Sequence, residues 1–206
     1  MEKIKIDLEN IKKEDVALVV KYLREGGVVV LPTDTVYGLH CDANSLTAIR
    51  KIYKIKKKTK QKPLLILVNS MAMLEKYCFL SRNQKKIINK NIKQKNRAET
   101  VVLKSRKVLP LEINYGLDSQ AVRLLSKLSN SFRSDFIRTV IKKLGTPLVS
   151  TSLNISEKKP LNDPESVLGY FKTDKPDLAV DAGRILGKPS RILDIRERKI
   201  INVLRE

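Results

Sequence analysis

The stretch that decides the fold is residues 28–39, VVVLPTDTVYGL, where an apolar run leads into a proline and a group of short polar side chains. The run Val28 to Leu31 predicts a central strand, because only a strand buried on both faces lacks polar positions. Pro32 has no N–H to donate and ends this strand. Gly38 then permits a sharp bend, which places the polar side chains of residues 33–37 at one mouth of an α/β sheet. The same side chains also suit a simple turn with Asx-type hydrogen bonds.

Residues 54–68, KIKKKTKQKPLLILV, run from a lysine-rich loop into a second apolar strand. Six lysines lie within the first nine residues, and so much like charge needs either a polyanion or full solvation. A solvated surface run is the simpler interpretation. The position of the lysines directly before Pro63 and a buried strand instead favours an anion site, such as a phosphate-binding loop.

The composition places limits on the class of protein. The chain of 206 residues has 42% hydrophobic content, which is ample for one domain over residues 1–206. Its net charge of +20 points to nucleotides, nucleic acid or another anionic partner, although lysine is abundant throughout the chain. Cys41 and Cys78 have no metal-ligand or redox spacing, so both are expected to be buried thiols. Residues 1–15 are charged throughout and no apolar run approaches ~18 residues, which predicts a cytosolic protein without a membrane span.

Hydrophobic periodicity predicts the remaining elements. Helices are expected over residues 14–25, 45–56, 71–77, 83–91 and 132–144, and from Pro164 to about Phe171, with Ser45 as an N-cap and Gly145 as a stop. Strands are expected over residues 64–68, 100–103 and 119–124 and directly after Pro147, with a loop over 104–118. The last strands, near 178–181, 191–195 and 199–204, suggest a terminal meander. We find no internal repeat and no linker that marks a domain boundary.

Two further features suggest functional groups. Arg123 is a single charge in the otherwise apolar strand 119–124, so it needs either an internal carboxylate or an anionic ligand as its partner. Residues 147–156, PLVSTSLNIS, form a second cluster of hydroxyl and amide side chains at a strand end. Serine and asparagine are also common turn formers.

Several classes of site are excluded by the motifs. The glycine patterns of P-loop and dinucleotide-binding proteins do not occur, so side chains would have to hold any phosphate. His40 is the only histidine, which excludes multi-histidine metal sites and makes a structural role beside the turn the expected one. Lysine, arginine, threonine, serine and asparagine provide cations and hydrogen-bond donors but no obvious nucleophile. Such a set suits transfer chemistry by positioning and charge neutralisation.

Taken together, four motifs resemble the YrdC-like family, the threonylcarbamoyl-adenylate synthases of tRNA modification. The motifs are PTDTVYGL at 32–39, Lys56-x-Lys58-x-x-x-Lys62-Pro63-Leu64, Ala121-Val122-Arg123 and Ser150-Thr151-Ser152-x-Asn154-x-Ser156, in the order and spacing of that family. The resemblance spans nearly the whole chain. It implies an α/β fold with a twisted open mixed sheet, surrounding helices and a basic concave cavity.

The resemblance also implies a reaction. L-Threonine, bicarbonate and ATP, with the Mg²⁺ that accompanies ATP, would give threonylcarbamoyl-adenylate and pyrophosphate. The product would pass to a threonylcarbamoyl transferase complex that modifies N6 of adenosine-37 in ANN-decoding tRNAs. Because the reaction brings two anions together, a cationic and largely closed pocket is required.

Residue roles carried over from the family fall into two groups. Lys56, Lys58 and Lys62 would hold the phosphates, with Ser119, Asn154, Asn162 and Arg205 completing the ATP site. Thr35, Arg123, Ser152 and Ser190 would bind threonine, with Leu67 lining the pocket and Arg123 pairing the carboxylate. Lys56, Lys58, Ser152 and Asn154 are the candidate catalytic residues, and no metal ligand is expected.

This sequence departs from the family pattern at several positions. Lys58 replaces a usual arginine and cannot reproduce its bidentate contact with phosphate. Leu153 and Glu157 stand where alanine and glycine are usual, and His40 stands where glycine is common. Residues 95–99 replace a tryptophan-proline-glycine-proline stretch.

Two alternatives therefore remain beside the synthase. One is a divergent RNA-binding protein of the same fold without synthase activity, suggested by the net charge and the basic stretch 85–95. The other is a carbamoyl-adenylate-forming relative, as in the larger hydrogenase-maturation proteins, but the acylphosphatase-like and zinc-finger segments of those proteins do not occur here.

Overall fold

The structure is a computed structural model that describes residues 1–57, 62–93, 98–125, 131–156, 158–197 and 201–206, with the backbone alone at 91–93 and 168. The strands are β1 (Glu2–Lys5), β2 (Val29–Pro32), β3 (Tyr37–Asp42), β4 (Leu65–Val68), β5 (Glu99–Lys104), β6 (Ser119–Leu124), β7 (Leu148–Ser152), β8 (Leu178–Asp181), β9 (Arg191–Asp194) and β10 (Asn202–Arg205). The helices are α1 (Lys13–Arg24), α2 (Leu46–Ile55), α3 (Met71–Tyr77), α4 (Arg82–Lys93), α5 (Phe132–Leu144) and α6 (Val167–Tyr170), with a 3₁₀ turn at Leu111–Ile113. Lys58 and Glu157 lie outside the described residues, as does part of the basic stretch 85–95.

All of these strands belong to one mixed sheet, in the order β1-β8-β2-β3-β7-β4-β6-β5-β9-β10. The pairs β1/β8, β2/β8, β4/β6 and β5/β9 are parallel, whereas β2/β3, β3/β7, β4/β7, β5/β6 and β9/β10 are antiparallel. The predicted α/β class with an open mixed sheet is confirmed.

Helices cover the two faces of the sheet unequally. On the first face, α2, α3 and α4 pack on an apolar layer that includes Tyr37, Leu39 and Ile66. On the second face, α1 and α5 pack against each other and over a layer that includes Val29, Leu31 and Leu148. The part of the second face that β4, β6, β5 and β9 form instead contributes to the wall of a cavity.

The helices begin and end largely where the sequence predicts. The Ser45 hydroxyl accepts a hydrogen bond from the Ala48 N–H at 3.3 Å, which confirms the N-cap of α2. Gly145 ends α5 with a φ of +87°, a conformation that glycine adopts without a Cβ clash. α3 and α5 have the predicted bounds, whereas α6 is shorter than predicted: Asp163 accepts from the N–H groups of Glu165 and Ser166, but the turn that follows closes with an i→i+3 bond from Val167 to Pro164 and the α-helix begins only at Val167.

Two strands and one connection differ from the sequence interpretation. β1 was not predicted, since its charged residues form an exposed edge. β3 was also missed, because Gly38 is not a bend but a residue of β3 that pairs with Leu31 on one side and Ser152 on the other. The terminal meander is wrong: β8 pairs with β1 and β2 at one end of the sheet, while β9 and β10 pair at the other.

The sole histidine lies inside β3 and not beside a turn. His40 is fully buried, and burial lowers the pKa of its imidazole to about 3 because the charged form loses its hydration.

Cys41 and Cys78 are buried thiols, as predicted. No helix of the described residues is long and apolar enough to span a membrane.

The glycine of β3 should not tolerate a side chain while His40 is present. A Cβ at Gly38 would lie 2.6 Å from His40 Nε2 and 3.0 Å from the Thr151 carbonyl oxygen. We expect Gly38→Ala to lower the free energy of unfolding by about 1–3 kcal/mol through overpacking. In a His40→Gly background, where the obstructing ring is absent, Gly38→Ala should cost less stability than it does in the wild type, as measured by urea unfolding of the two single variants and the double variant. An equal cost of Gly38→Ala in the two backgrounds would show that the imidazole is not the obstacle.

Stability should fall with acidification because of His40. A folded pKa of about 3, below the ordinary value of 6.5, means that the unfolded chain binds the proton first. The stabilisation is therefore complete above pH ~6.5 and is lost as the pH falls, with a slope that approaches about 1.4 kcal/mol per pH unit near pH 5. Urea unfolding of the wild type and of His40→Gln at several pH values measures this slope. The prediction fails if the variant keeps the same pH dependence between about pH 6.5 and 5.

Candidate functional site

A cavity of about 480 Å³ lies at the part of the second face of the sheet that the described helices leave open. The residues that line it include eight of the sequence-predicted site residues: Thr35, Lys56, Lys62, Arg123, Ser152, Asn154, Ser190 and Arg205. Four of these are cations, and the described lining contains no carboxylate. The remaining polar lining consists mainly of hydroxyl groups. The cavity is therefore suited to an anionic ligand.

A larger and more open groove of about 1060 Å³ lies elsewhere, between residues 5–15 and the start of α5. Its lining mixes both signs of charge, with Lys5 and Arg133 near Asp7 and Glu9. Such a mixture favours no single ligand charge. The smaller cavity, in which cations from separate segments meet, is the better candidate.

Lys56 holds one wall of the cavity together from inside. It follows the last residue of α2 and is only 4% exposed. Its Nζ donates to the Ser152 carbonyl at 2.8 Å, the Asn154 carbonyl at 3.0 Å and Asn154 Oδ1 at 2.7 Å. The Ser152 hydroxyl donates to the same Asn154 oxygen at 2.6 Å. The buried ammonium therefore orders the loop after β7 and brings a positive charge to the cavity.

Arg123 has the internal carboxylate that the sequence left as one of two possibilities. Its Nη2 forms an ion pair with Asp34, and its Nη1 donates to Thr35 Oγ1 at 3.1 Å. The Arg123 and Asp34 side chains are only 7% and 19% exposed. Arg123 also lines the cavity. Arg123 therefore has an internal carboxylate partner and also lies at the wall of the candidate site, so the two expected partners do not exclude each other.

A chain of hydroxyl groups fixes the turn that carries Asp34. Thr33 Oγ1 lies 2.8 Å from Thr35 Oγ1, accepts from the N–H groups of Thr35 and Val36 and donates to the Val36 carbonyl at 2.6 Å. Both threonines are buried. The turn is therefore hydrogen-bonded, but its acceptor is the Thr33 hydroxyl and not the Asx-type acceptor expected, because the Asp34 carboxylate pairs with Arg123.

Ser190 and Arg205 close the far side of the cavity. The Ser190 hydroxyl lies 2.8 Å from Thr100 Oγ1. Arg205, on β10, donates from Nε and Nη2 to the Ser190 carbonyl at 3.0 and 2.6 Å. Its guanidinium is thereby directed back towards the cavity although β10 is an exposed strand.

An extended connection, residues 182–190, runs from β8 to β9 past the Thr33–Thr35 turn. The Tyr37 hydroxyl anchors its start by donating to the Gly183 carbonyl at 2.7 Å and accepting from the Ala182 N–H at 3.0 Å. Burial raises the pKa of the Tyr37 phenol to about 12, so this donor keeps its proton at neutral pH. Gly187 of this connection lies directly on the carbonyl of Thr35.

Three of the predicted residues do not line the cavity. Leu67 is buried under the helices of the second face, next to Arg123 in the sheet register. Ser119 begins β6, where its carbonyl accepts from Asn114 Nδ2 at 3.0 Å. Asn162 is exposed, and its carbonyl accepts from the Ile185 N–H at 2.9 Å. Their ligand roles, like that of Lys58, stay predictions.

Sequence reasoning missed residues that complete the site. Thr33 was seen only as part of a polar turn, and its buried hydroxyl proves to organise that turn. Thr100 and Gly187 carried no signal of their own, because their contacts with Ser190 and Thr35 join distant segments. The described residues contain no group of three or more His, Cys, Asp or Glu side chains that could hold a metal ion.

The fold and the site define a class of protein: an open mixed α/β sheet with a cationic cavity built from side chains and not from a glycine-rich loop. Residues 21–206 match the family model Sua5_yciO_yrdC, which carries the description "Telomere recombination". This chain belongs to the Sua5/YciO/YrdC family.

Relatives and solved structures agree with this assignment. The chain is 31% identical to a protein of Methanocaldococcus jannaschii, over 95% of this chain and 87% of that one. It is 28% identical to the threonylcarbamoyl-AMP synthase of Hydrogenovibrio crunogenus, over 87% and 92% of the two chains. The structure of P. abyssi Sua5 complexed with L-threonine superposes with a TM-score of 0.85 at 26% identity, covering 100% of this chain and 57% of that longer one. Escherichia coli YciO shares the fold, with a TM-score of 0.81 at 23% identity over 100% and 94%.

A side chain at Gly187 should displace the connection 182–190 from the cavity. A Cβ at this position would penetrate the carbonyl of Thr35, and a backbone atom cannot turn aside as a flexible side chain can. We expect Gly187→Ala to weaken ligand binding about tenfold or more, since misplacement by about 1 Å is costly in a positioned site. Isothermal titration with L-threonine measures the effect. Gly169→Ala, whose Cβ would meet nothing within 4 Å, is the control; equal affinities of the two variants would contradict the prediction.

Proposed function

We propose that this chain is an L-threonylcarbamoyladenylate synthase, which forms threonylcarbamoyl-AMP and pyrophosphate from L-threonine, bicarbonate and ATP. The observation that carries the proposal is the convergence of Lys56, Lys62, Arg123 and Arg205 with several hydroxyl groups on one cavity. The name of the Hydrogenovibrio crunogenus relative and the L-threonine complex of P. abyssi Sua5 support the same reaction.

The chemistry explains why such a cavity is needed. The threonine ammonium and bicarbonate give a carbamate with loss of one water and one proton. A carbamate oxygen then forms a bond to the α-phosphorus of ATP, and the bond from that phosphorus to the bridging oxygen breaks to release pyrophosphate. Since the nucleophile and the triphosphate are both anions, their repulsion opposes the encounter. Fixed cations in a partly closed cavity offset this repulsion and position the reactants.

The proposed roles follow the two ends of the cavity. Arg123 would pair the threonine carboxylate, with Thr35, Ser152 and Ser190 as hydrogen-bonding partners and Leu67 supporting the wall from below. Lys56, Lys58 and Lys62 would face the triphosphate with Asn154 and Arg205, and Ser119 and Asn162 would complete the nucleotide site. Mg²⁺ would enter with ATP and reduce the charge of the triphosphate.

Lys56 and Asn154 would act mainly through position and charge. The Lys56 ammonium already has three oxygen acceptors from the loop after β7, so it would provide a fixed positive potential and not a mobile contact. Such preorganised charge needs no reorganisation during the reaction. Ser152 and Asn154 would owe their orientation to the same ammonium.

The finer parts of the proposal concern the partners. The adenylate is a reactive mixed anhydride, so it would pass to a threonylcarbamoyl transferase complex that modifies adenosine-37 of tRNA. Residues 1–206 would act as one unit in the cytoplasm. Direct contact with tRNA would use the net charge of +20, but the cavity supports the synthase over an RNA-binding protein without activity.

Removal of the buried ammonium should abolish most of the activity. We expect Lys56→Ala to reduce pyrophosphate release from ATP by about a hundredfold, because it removes a fixed charge and frees the loop after β7. The assay must show dependence on both L-threonine and bicarbonate in the wild type. Lys142→Ala, on the exposed side of α5, is the matched control and should keep full activity.

Melting temperatures of both variants separate loss of charge from loss of fold. Release of pyrophosphate that continues when threonine or bicarbonate is omitted would reject the synthase. The RNA-binding alternative would instead be favoured by two results together: the wild type shows no synthase activity, and its salt-sensitive binding of RNA is retained in Lys56→Ala.

A further inference from the structure

Asp34 is set apart from the other residues around the cavity because it is an acid beside a cationic site. Among the described residues it is the only carboxylate in contact with Arg123, and it does not itself line the cavity. Its neighbours Thr33 and Thr35 do line the cavity, so Asp34 pairs with the guanidinium from within the turn that forms this part of the wall. A carboxylate in this position can have one of two roles. It can neutralise the buried charge of Arg123, or it can fix the orientation of the Arg123 guanidinium.

The geometry favours the second role, in which Asp34 fixes the orientation of the Arg123 guanidinium. A guanidinium has N–H groups in one rigid plane, and bidentate pairing with a carboxylate requires that plane to be fixed. Here Nη2 is held by Asp34 and Nη1 by Thr35, two neighbouring residues of the same turn. Two contacts at different nitrogen atoms fix the plane, whereas a single contact would leave rotation about it.

The turn that carries these contacts is itself held by hydrogen bonds and by a close backbone contact. The hydroxyl of Thr33 closes the turn through the N–H groups of Thr35 and Val36, and the carbonyl of Thr35 is covered by Gly187. The orientation of Asp34 is thus set by the same turn that offers Thr35 to the cavity. Movement of the turn would disturb both partners of Arg123 together.

We propose that Asp34 is a positioning residue that holds the Arg123 guanidinium in the plane needed to recognise the α-carboxylate of the amino-acid substrate. The inference rests on the proposed function, and it assigns Asp34 a role in selecting a free carboxylate. The opposite role for Asp34 would be competition with the substrate carboxylate for Arg123. If Asp34 acted mainly as a competing anion, its removal would tighten the binding of carboxylates.

Two substitutions separate these roles. Asp34→Ala removes the acceptor and the charge, so the guanidinium plane loses one of its two contacts. Asp34→Asn removes the charge but keeps an oxygen that can accept from Nη2. Positioning predicts that alanine weakens L-threonine binding about tenfold, the usual scale for a lost charge-assisted contact, and that asparagine restores most of it. Competition predicts tighter binding in both variants.

The readout is selectivity, measured by titration calorimetry with L-threonine and with L-threoninamide, which lacks the carboxylate charge. In Asp34→Ala we expect the preference for threonine over threoninamide to fall about tenfold, while ATP affinity stays within about twofold of the wild type. A general loss of folding would instead lower the affinities for L-threonine, L-threoninamide and ATP together. The matched control is Asp135→Asn on α5, whose carboxylate pairs with Arg138 at 2.9 Å and is half exposed.

Each result decides the question. Reduced selectivity in Asp34→Ala with recovery in Asp34→Asn supports the positioning role. If the wild type binds threonine and Asp34→Ala binds it with unchanged or increased affinity, the positioning role is overturned and the synthase proposal stays intact. A wild-type protein that binds neither L-threonine nor ATP overturns the proposed function and the role of Asp34 with it.

Discussion

The structure depends on holding four cations around one cavity against their mutual repulsion. Three of the four are held by oxygen atoms of the cavity wall: Lys56 by carbonyl and amide oxygens, Arg205 by Ser190, and Arg123 by Asp34 and Thr35. Most of these partners are dipoles and not carboxylates. Dipoles stabilise a buried cation without cancelling its charge, so the cavity remains positive while its wall stays ordered.

The sheet topology explains why these groups meet. β3, β7 and β4 are antiparallel neighbours, and the Gly38–Ser152 pair brings the hydroxyl-rich end of β7 beside the turn that precedes β3. β6 then adds Arg123 next to β4, and the long connection from β8 to β9 delivers Ser190 from the opposite direction. Since α1 and α5 cover only part of the second face, the remaining strands are free to form a wall.

Local signals predicted much of this fold, whereas non-local pairing limited the rest. The capping serine of α2, the glycine after α5 and the apolar run of β6 act within a few residues and were all located from the sequence. β3 was missed because glycine and histidine are poor strand signals, although the close approach of Gly38 to Thr151 requires the glycine. The motifs brought most candidate residues to the cavity, but the pairing of Arg123 with Asp34, 89 positions apart, has no local signature.

Two lysines of the cavity differ in burial, and this difference has a physical consequence. Lys56 is 4% exposed and held on several oxygens, whereas Lys62 is exposed at the start of the segment that leads into β4. A fixed charge lowers the energy of an incoming anion without an ordering cost, while an exposed lysine must give up rotamer freedom, about 1.5–2 kcal/mol, when it binds. The buried lysine therefore contributes a fixed part of the positive potential of the cavity, at no ordering cost to an anion that enters it.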